Sequence, residues 1–215
     1  MFINKIGQQH LDYGTNCQDY GYSDEKIKLV CDGCSEGAHS EVGAITFCHL
    51  FKYHPAPIGE RTRRIFDEEL IQIFGQSSED IKNHLCFTIM LVEETEDYFF
   101  VSYCGDGYII TQDINGEISF NEINDGEYPK YYAYNFVNAS HLAHYKEVAF
   151  FSFKVFNKNE YLNVGVASDG LRYIDKCPEF RGEFIELLKA GKAIPLKRFI
   201  NKHQALFKDD ITIAF

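Results

Sequence analysis

Apolar and polar positions along the chain alternate in two distinct ways. Short β-branched or aromatic runs, broken by Gly, Asp and Asn, predict strands. They are "KIKLVCDG" (26–33), "LCFTIMLVEE" (85–94), "DYFFVSYCGDG" (97–107), "YIITQDI" (108–114), "GEISFNEI" (116–123), "EVAFFSFKVF" (147–156), "YLNVGVASDG" (161–170) and the last run, "DDITIAF" (209–215). Helical spacing appears elsewhere. Val42, Ile45, Cys48 and Leu50 fall roughly on one face of a helix from Ser40 to Tyr53. Phe66, Leu70, Ile73 and Phe74 form a stripe from Glu60 to Phe74, and "HPAPIG" separates the two helices. Two more helical segments span about 179–190 and 195–206, with Pro195 suited to a helix start. Residues 124–146 lack clean periodicity and are crowded with Tyr and Asn. They predict a long loop or flap over one end of the sheet.

The order is strands, a helical pair, many strands, a helical pair and a last strand. Single strands seldom alternate with single helices, which argues against a doubly wound parallel sheet. The expected fold is α+β: a β-sandwich of two antiparallel sheets, flanked by α-helices on both sides. At 215 residues with 45% apolar content, one well-buried domain over 1–215 is expected.

Composition narrows the function classes. No run of about 18 apolar residues exists to span a membrane, and the first residues have neither the basic start nor the apolar stretch of a signal peptide. A formal net charge of -11 disfavours nucleic acid and anionic lipid as partners. The seven cysteines are an odd, scattered set, which points to a reducing cytoplasm rather than a disulfide framework. The same acidity suits a surface on which some carboxylates converge to hold hard divalent cations.

Five aspartates share a setting: Asp19 in "CQDYGY", Asp32 in "VCDGC", Asp106 in "YCGDGY", Asp169 in "VASDGL" and Asp209 in "KDDITI". Three precede Gly and four adjoin an apolar strand. Any one Asp-Gly pair reads as an ordinary turn. Together they mean more, because a sandwich gathers strand ends at a single edge. Carboxylates crowded there repel one another unless cations neutralise them, and oxygen-only ligands select Mg²⁺ or Mn²⁺ over zinc. The pair Cys31 and Cys34 raises a rival reading, a thiol or zinc site. An intervening Asp raises thiol pKa values, which is the wrong direction for redox work. Zinc would need two further ligands, and His39 and His49 stand at no fitting spacing.

In "NCQD" (16–19), "CDGCSEGAHSEVGA" (31–44), "CGDG" (104–107), "GEY" (126–128), "ASDG" (167–170) and "DDIT" (209–212), taken in order, the sequence resembles the metal-dependent Ser/Thr protein phosphatases of the 2C type, in their compact bacterial form. The resemblance implies that Asp32 bridges two metal ions, Mn²⁺ or Mg²⁺, and that the Gly33 carbonyl binds one of them. Asp169 and Asp209 would complete the shell of the second. Asp19 would hold metal-bound waters, beside Gln18 where many relatives have Glu. Asp106 matches a position linked to a weaker third ion. Asp210 stands where relatives often have Asn. The implied reaction is hydrolysis of phosphoserine or phosphothreonine in a phosphoprotein substrate by a hydroxide bridging the two ions.

Two departures stand out. Cys34 occupies the position of a His that serves some relatives as candidate general acid. No Arg precedes the first acidic motif to clamp phosphate, so His10 is the nearest candidate for that part. These departures motivate an alternative, a catalytically silent copy of the fold that binds a partner. Oligomeric state is open. The basic patch "GERTRR" (59–64) reads as a solvated helix face.

Overall fold

The structure, a computed structural model, describes residues 1–53, 60–124, 129–136 and 151–215. Ten strands form two five-stranded antiparallel sheets, as the strand pattern predicts. One sheet holds β1 (Phe2–Lys5), β10 (Ile211–Ala214), β9 (Tyr161–Ala167), β6 (Gly107–Asp113) and β7 (Ile118–Ile123), in that spatial order. The other holds β2 (Tyr20–Ser23), β3 (Ile27–Gly33), β4 (Phe87–Glu94), β5 (Tyr98–Cys104) and β8 (Ser152–Asn157). Helices α2 (Ser40–Tyr53), α3 (Glu60–Phe74) and α4 (Ser78–Leu85) cover the β3 sheet. Helices α5 (Arg172–Asp175), α6 (Pro178–Lys189) and α7 (Ala193–Lys202) cover the β10 sheet. Among the described residues, no helix is long and apolar enough to cross a membrane.

Central strands are buried on both faces, which is why they read as nearly continuous apolar runs. On β3, Leu29 and Cys31 face the helices, while Val30 joins Met90, Val101, Ile109, Val166 and Ala214 between the sheets. Strand alternation alone accounts for this division. Five short elements escaped the sequence reading: β1, β2, α1 (Gln8–Tyr13), α4 and α5. All but α4 are too short for periodicity to show. Helix α4 carried a visible signal, since the Ser77 side chain caps it by accepting from the Asp80 N–H at 3.1 Å.

The helical stripes are rotated from their expected positions. On α2 the buried set is Ser40, Gly43, Ala44, Phe47, Cys48 and Phe51, and Val42 is 41% exposed. Small residues sit inward there because the end of α4 crosses closely: a Cβ on Gly43 would lie 1.6 Å from the His84 carbonyl oxygen. On α3, Phe66 and Leu70 are buried as predicted, but Ile73 is 55% exposed. Arg64 is exposed and pairs with Glu68 one turn on at 3.3 Å, the solvated face expected of that patch; the neighbouring side chains 60–63 lie outside the described residues.

Of the segment 124–146, residues 129–136 carry a 3₁₀ turn, Tyr132–Asn135. Its Tyr132 is buried against Phe47 and Phe87, and its hydroxyl bonds Asp67 at 2.5 Å. The remainder of the predicted flap, "GEY" included, lies outside the described residues, as do the first residues of the 147–156 strand.

At the end of the sandwich where β3 begins, Lys28 is buried between the sheets. Its ammonium bonds Asn163 Oδ1 and the Val164 carbonyl (2.6 Å) and lies over the Phe99 ring. Burial pulls its pKa down to about 8. An unfolded chain keeps this proton until near the ordinary 10.5. Between the two values the folded state binds fewer protons, so rising pH favours folding there. Relative to Lys28→Met, wild type is expected to gain about 2 kcal/mol of stability between pH ~7.5 and ~9.5, measured by urea unfolding. Cysteines and tyrosines common to both proteins cancel in that difference.

Candidate active site

The strand ends at the opposite end of the sandwich carry the acidic motifs. Asp32 is the penultimate residue of β3 and stands opposite Thr88 of β4. Asp106 lies in the turn from β5 to β6, between Gly105 (φ 97°) and Gly107 (φ 141°). Asp169 follows β9, and Asp209 precedes β10. Of the three Asp-Gly pairs, only Asp106-Gly107 uses glycine for a positive φ. The other two glycines answer crowding: a Cβ on Gly170 would lie 1.9 Å from the Asp210 carbonyl oxygen, and one on Gly33 2.7 Å from that of Gln18. These close approaches draw the carriers of Asp32, Asp169 and Asp209 together.

The result is an open cleft of about 260 Å³ lined by Asp32, Gly33, Asp106, Asp169 and Asp209, together with Cys34, Thr88 and Tyr131. Among the described residues, no lysine or arginine is part of its lining. Asp19 does not line the cleft. It is buried beside Asp32, and its Oδ2 has no hydrogen-bond partner among the described residues. Burial, reinforced by Asp19, Asp209 and Asp106, pushes the Asp32 carboxyl well above the usual range. Burial and Asp210 push Asp19 up likewise. These carboxyls are therefore poorly neutralised by the protein itself.

Asp210 points elsewhere. It is buried, and its carboxylate accepts the Gly7 N–H (2.7 Å), the Gln18 N–H (2.5 Å) and His10 Nδ1 (2.8 Å). Asp209, not its neighbour, is the one that lines the cleft. His10 is accordingly engaged behind the site and is not among the lining residues, so the structure does not place it where a phosphate clamp would stand. Gln18 braces the loop after β3: its Oε1 accepts from the Ser35 hydroxyl at 2.9 Å, and its Nε2 reaches Ser40 Oγ at 3.4 Å.

All seven cysteines are free thiols. Cys31 is buried 3.6 Å from Cys48, and burial raises its pKa. Cys34 is half-buried at the cleft wall, where its Sγ accepts from the Glu36 N–H at 3.4 Å. Sequence reasoning missed Thr88, Tyr131 and Arg172. Thr88 follows from the register opposite Asp32, and Tyr131 lies in the aperiodic segment. Arg172, three residues after Asp169, was legible only as an i,i+3 pair.

Among the described residues, no three His, Cys, Asp or Glu side chains approach closely enough to hold an ion unaided. Asp169 is turned into an ion pair with Arg172. The donor chemistry nevertheless fits a hard divalent cation: carboxylate oxygens crowd one rim, and a buried Asp19 oxygen is left without a partner among the described residues.

The chain belongs to the protein phosphatase 2C family, whose model matches residues 6–199. Solved structures share the fold. The serine/threonine phosphatase Stp1 from Staphylococcus aureus is 15% identical, with a TM-score of 0.64 over 99% of this chain and 92% of that one. The Mycobacterium tuberculosis serine/threonine phosphatase PstP/Ppp is 12% identical, with a TM-score of 0.66 over 99% and 95%. RsbX, solved in complex with magnesium, is 14% identical, with a TM-score of 0.58 over 99% and 90%. No curated protein matches significantly.

Proposed function

We propose that this protein is a Mn²⁺- or Mg²⁺-dependent phosphatase that hydrolyses phosphoserine and phosphothreonine in proteins. The observation that carries the reading is the convergence of Asp32, Asp106, Asp169 and Asp209, delivered by separate strands of both sheets, on one cleft. Magnesium in the related RsbX structure supports the choice of cation. Bound there, divalent ions supply Lewis-acid charge and lower the pKa of water, worth several kcal/mol in phosphoryl transfer.

The chain's own groups then have separable parts. Asp32 holds the centre of the site, assisted by the Gly33 carbonyl, and Asp169 and Asp209 hold its far side. Asp106, on a glycine-flanked turn, would help to hold a weaker additional ion. Asp19, buried behind Asp32, adds negative charge and keeps Asp32 in place. Cys34 stands where a general acid would act, but a neutral thiol is a weak donor. The departing alkoxide therefore takes its proton from water in the open cleft. We assign His10 to positioning residues 14–19 through Asp210.

Hydrolysis of a phosphothreonine peptide by the chelator-treated protein is the test. Activity is expected to be absent in chelator and restored by Mn²⁺. Turnover without metal removes the reading, and metal binding without any turnover favours the silent partner-binding copy.

A further inference from the structure

Arg172 has no part in the site as assigned so far, yet it touches one of its carboxylates. It opens α5 three residues after Asp169. Its Nη2 pairs with Asp169 Oδ2, and its Nε donates to the Asp169 carbonyl oxygen at 3.1 Å. The guanidinium thus holds both the side chain and the backbone of a residue assigned to the metal. A carboxylate engaged by a charged fork gives less to an incoming ion, because one oxygen's lone pairs and much of the negative charge are already spent. The tether is short, so the effective concentration of the competing cation is high.

The guanidinium also has somewhere to go. Arg172 is partly exposed and lines a second cavity of about 280 Å³, which shares Asp106, Pro129 and Asp169 with the cleft. That cavity is also lined by the Glu122 carboxylate and by Tyr108, which is 1% exposed and whose hydroxyl has no hydrogen-bond partner among the described residues. Glu122, which already pairs with Lys176, and the Tyr108 hydroxyl are oxygen acceptors in the same cavity.

We propose that Arg172 is a tethered counter-cation of Asp169 that a divalent ion must displace, and that it thereby sets the concentration of metal at which the site fills. The inference rests on the reading of Asp169 as a metal ligand.

Calorimetric titration of Mn²⁺ into the chelator-treated full chain tests it. Arg172→Gln is expected to tighten Kd roughly 3- to 20-fold, between the scale of an exposed ion pair and that of a buried charge-assisted bond. Arg172→Lys, which keeps the charge and loses the fork, is expected to fall between wild type and Arg172→Gln. Lys176→Gln removes an equal charge from the same region, where Lys176 pairs with Glu122 at 3.2 Å rather than with Asp169. It is expected to leave Kd unchanged. Equal or weaker Mn²⁺ binding by Arg172→Gln overturns the inference alone, as does equal tightening by Lys176→Gln, which would indicate a general field effect. If Arg172→Gln does not fold, Arg172→Lys decides, and a wild-type Kd in that variant overturns the inference. Absence of Mn²⁺ binding in both wild type and Arg172→Gln removes the metal-site reading together with this one. Binding by Arg172→Gln alone supports both.

Discussion

Asp32→Ala is expected to lower the Mn²⁺-dependent hydrolysis of a phosphothreonine peptide by at least about 10³-fold, the scale for losing a central electrostatic group in a preorganised site. Among the cleft carboxylates, Asp32 has Asp19, Asp209 and Asp106 all acting on it. It sits on a strand hydrogen-bonded on both sides, by β2 and β4, so its position is held rigidly. No neighbour can substitute, since Asp106, Asp169 and Asp209 approach from other strand ends. Stability is expected to move the opposite way. Without metal, half-buried Asp32 lies close to Asp19, Asp209 and Asp106, and their mutual repulsion opposes folding. The melting temperature of Asp32→Ala in chelator should therefore equal or exceed that of wild type. Lost activity together with a raised melting temperature separates a site defect from unfolding. Substantial turnover by Asp32→Ala would remove the proposed mechanism.

Asp210→Ala is expected to cost about 3–5 kcal/mol of stability, read by urea unfolding, because it breaks a buried charged network and leaves its donors unpaired. Three groups lose their acceptor: the Gly7 and Gln18 N–H groups and His10 Nδ1. Those bonds fasten α1 and the 14–19 segment to the entry of β10. That segment carries Gln18 and Asp19, so activity should fall with stability even though Asp210 does not line the cleft. Asp210→Asn keeps one acceptor oxygen and is expected to cost less than half as much. If Asp210→Ala unfolds at the wild-type urea midpoint, the network does not anchor the segment.

Much of the layout is legible in the residues, because strand and helix periodicities report which faces are buried. The β-branched runs mark eight of the ten strands, and the repeated Asp at strand ends marks the acidic rim. What escaped was short or was set by crossings between elements. Four-residue strands and a six-residue helix carry too few positions for a period. The buried stripe of α2 was displaced because α4 presses on Gly43, a contact between residues 41 apart in sequence. His10 looked like a spare cation near the first motif, and only the fold shows its ring committed to a carboxylate 200 residues away.

The chain's local chemistry determined that two sheets would form, that helices would cover them, and that strand ends would carry aspartate. Which of two adjacent aspartates, Asp209 or Asp210, faces the cleft was decided by tertiary structure, through the pairing of β10 with β1 and β9 and the donors waiting behind it. Side-chain alternation makes adjacent residues opposite in fate, and nothing local states which face meets solvent and which meets protein. The same holds for Arg172: its pairing with Asp169 is local, three residues apart, but that this carboxylate stands at the rim of a shared cleft is settled only once the ends of β3, β9 and β10 are brought together.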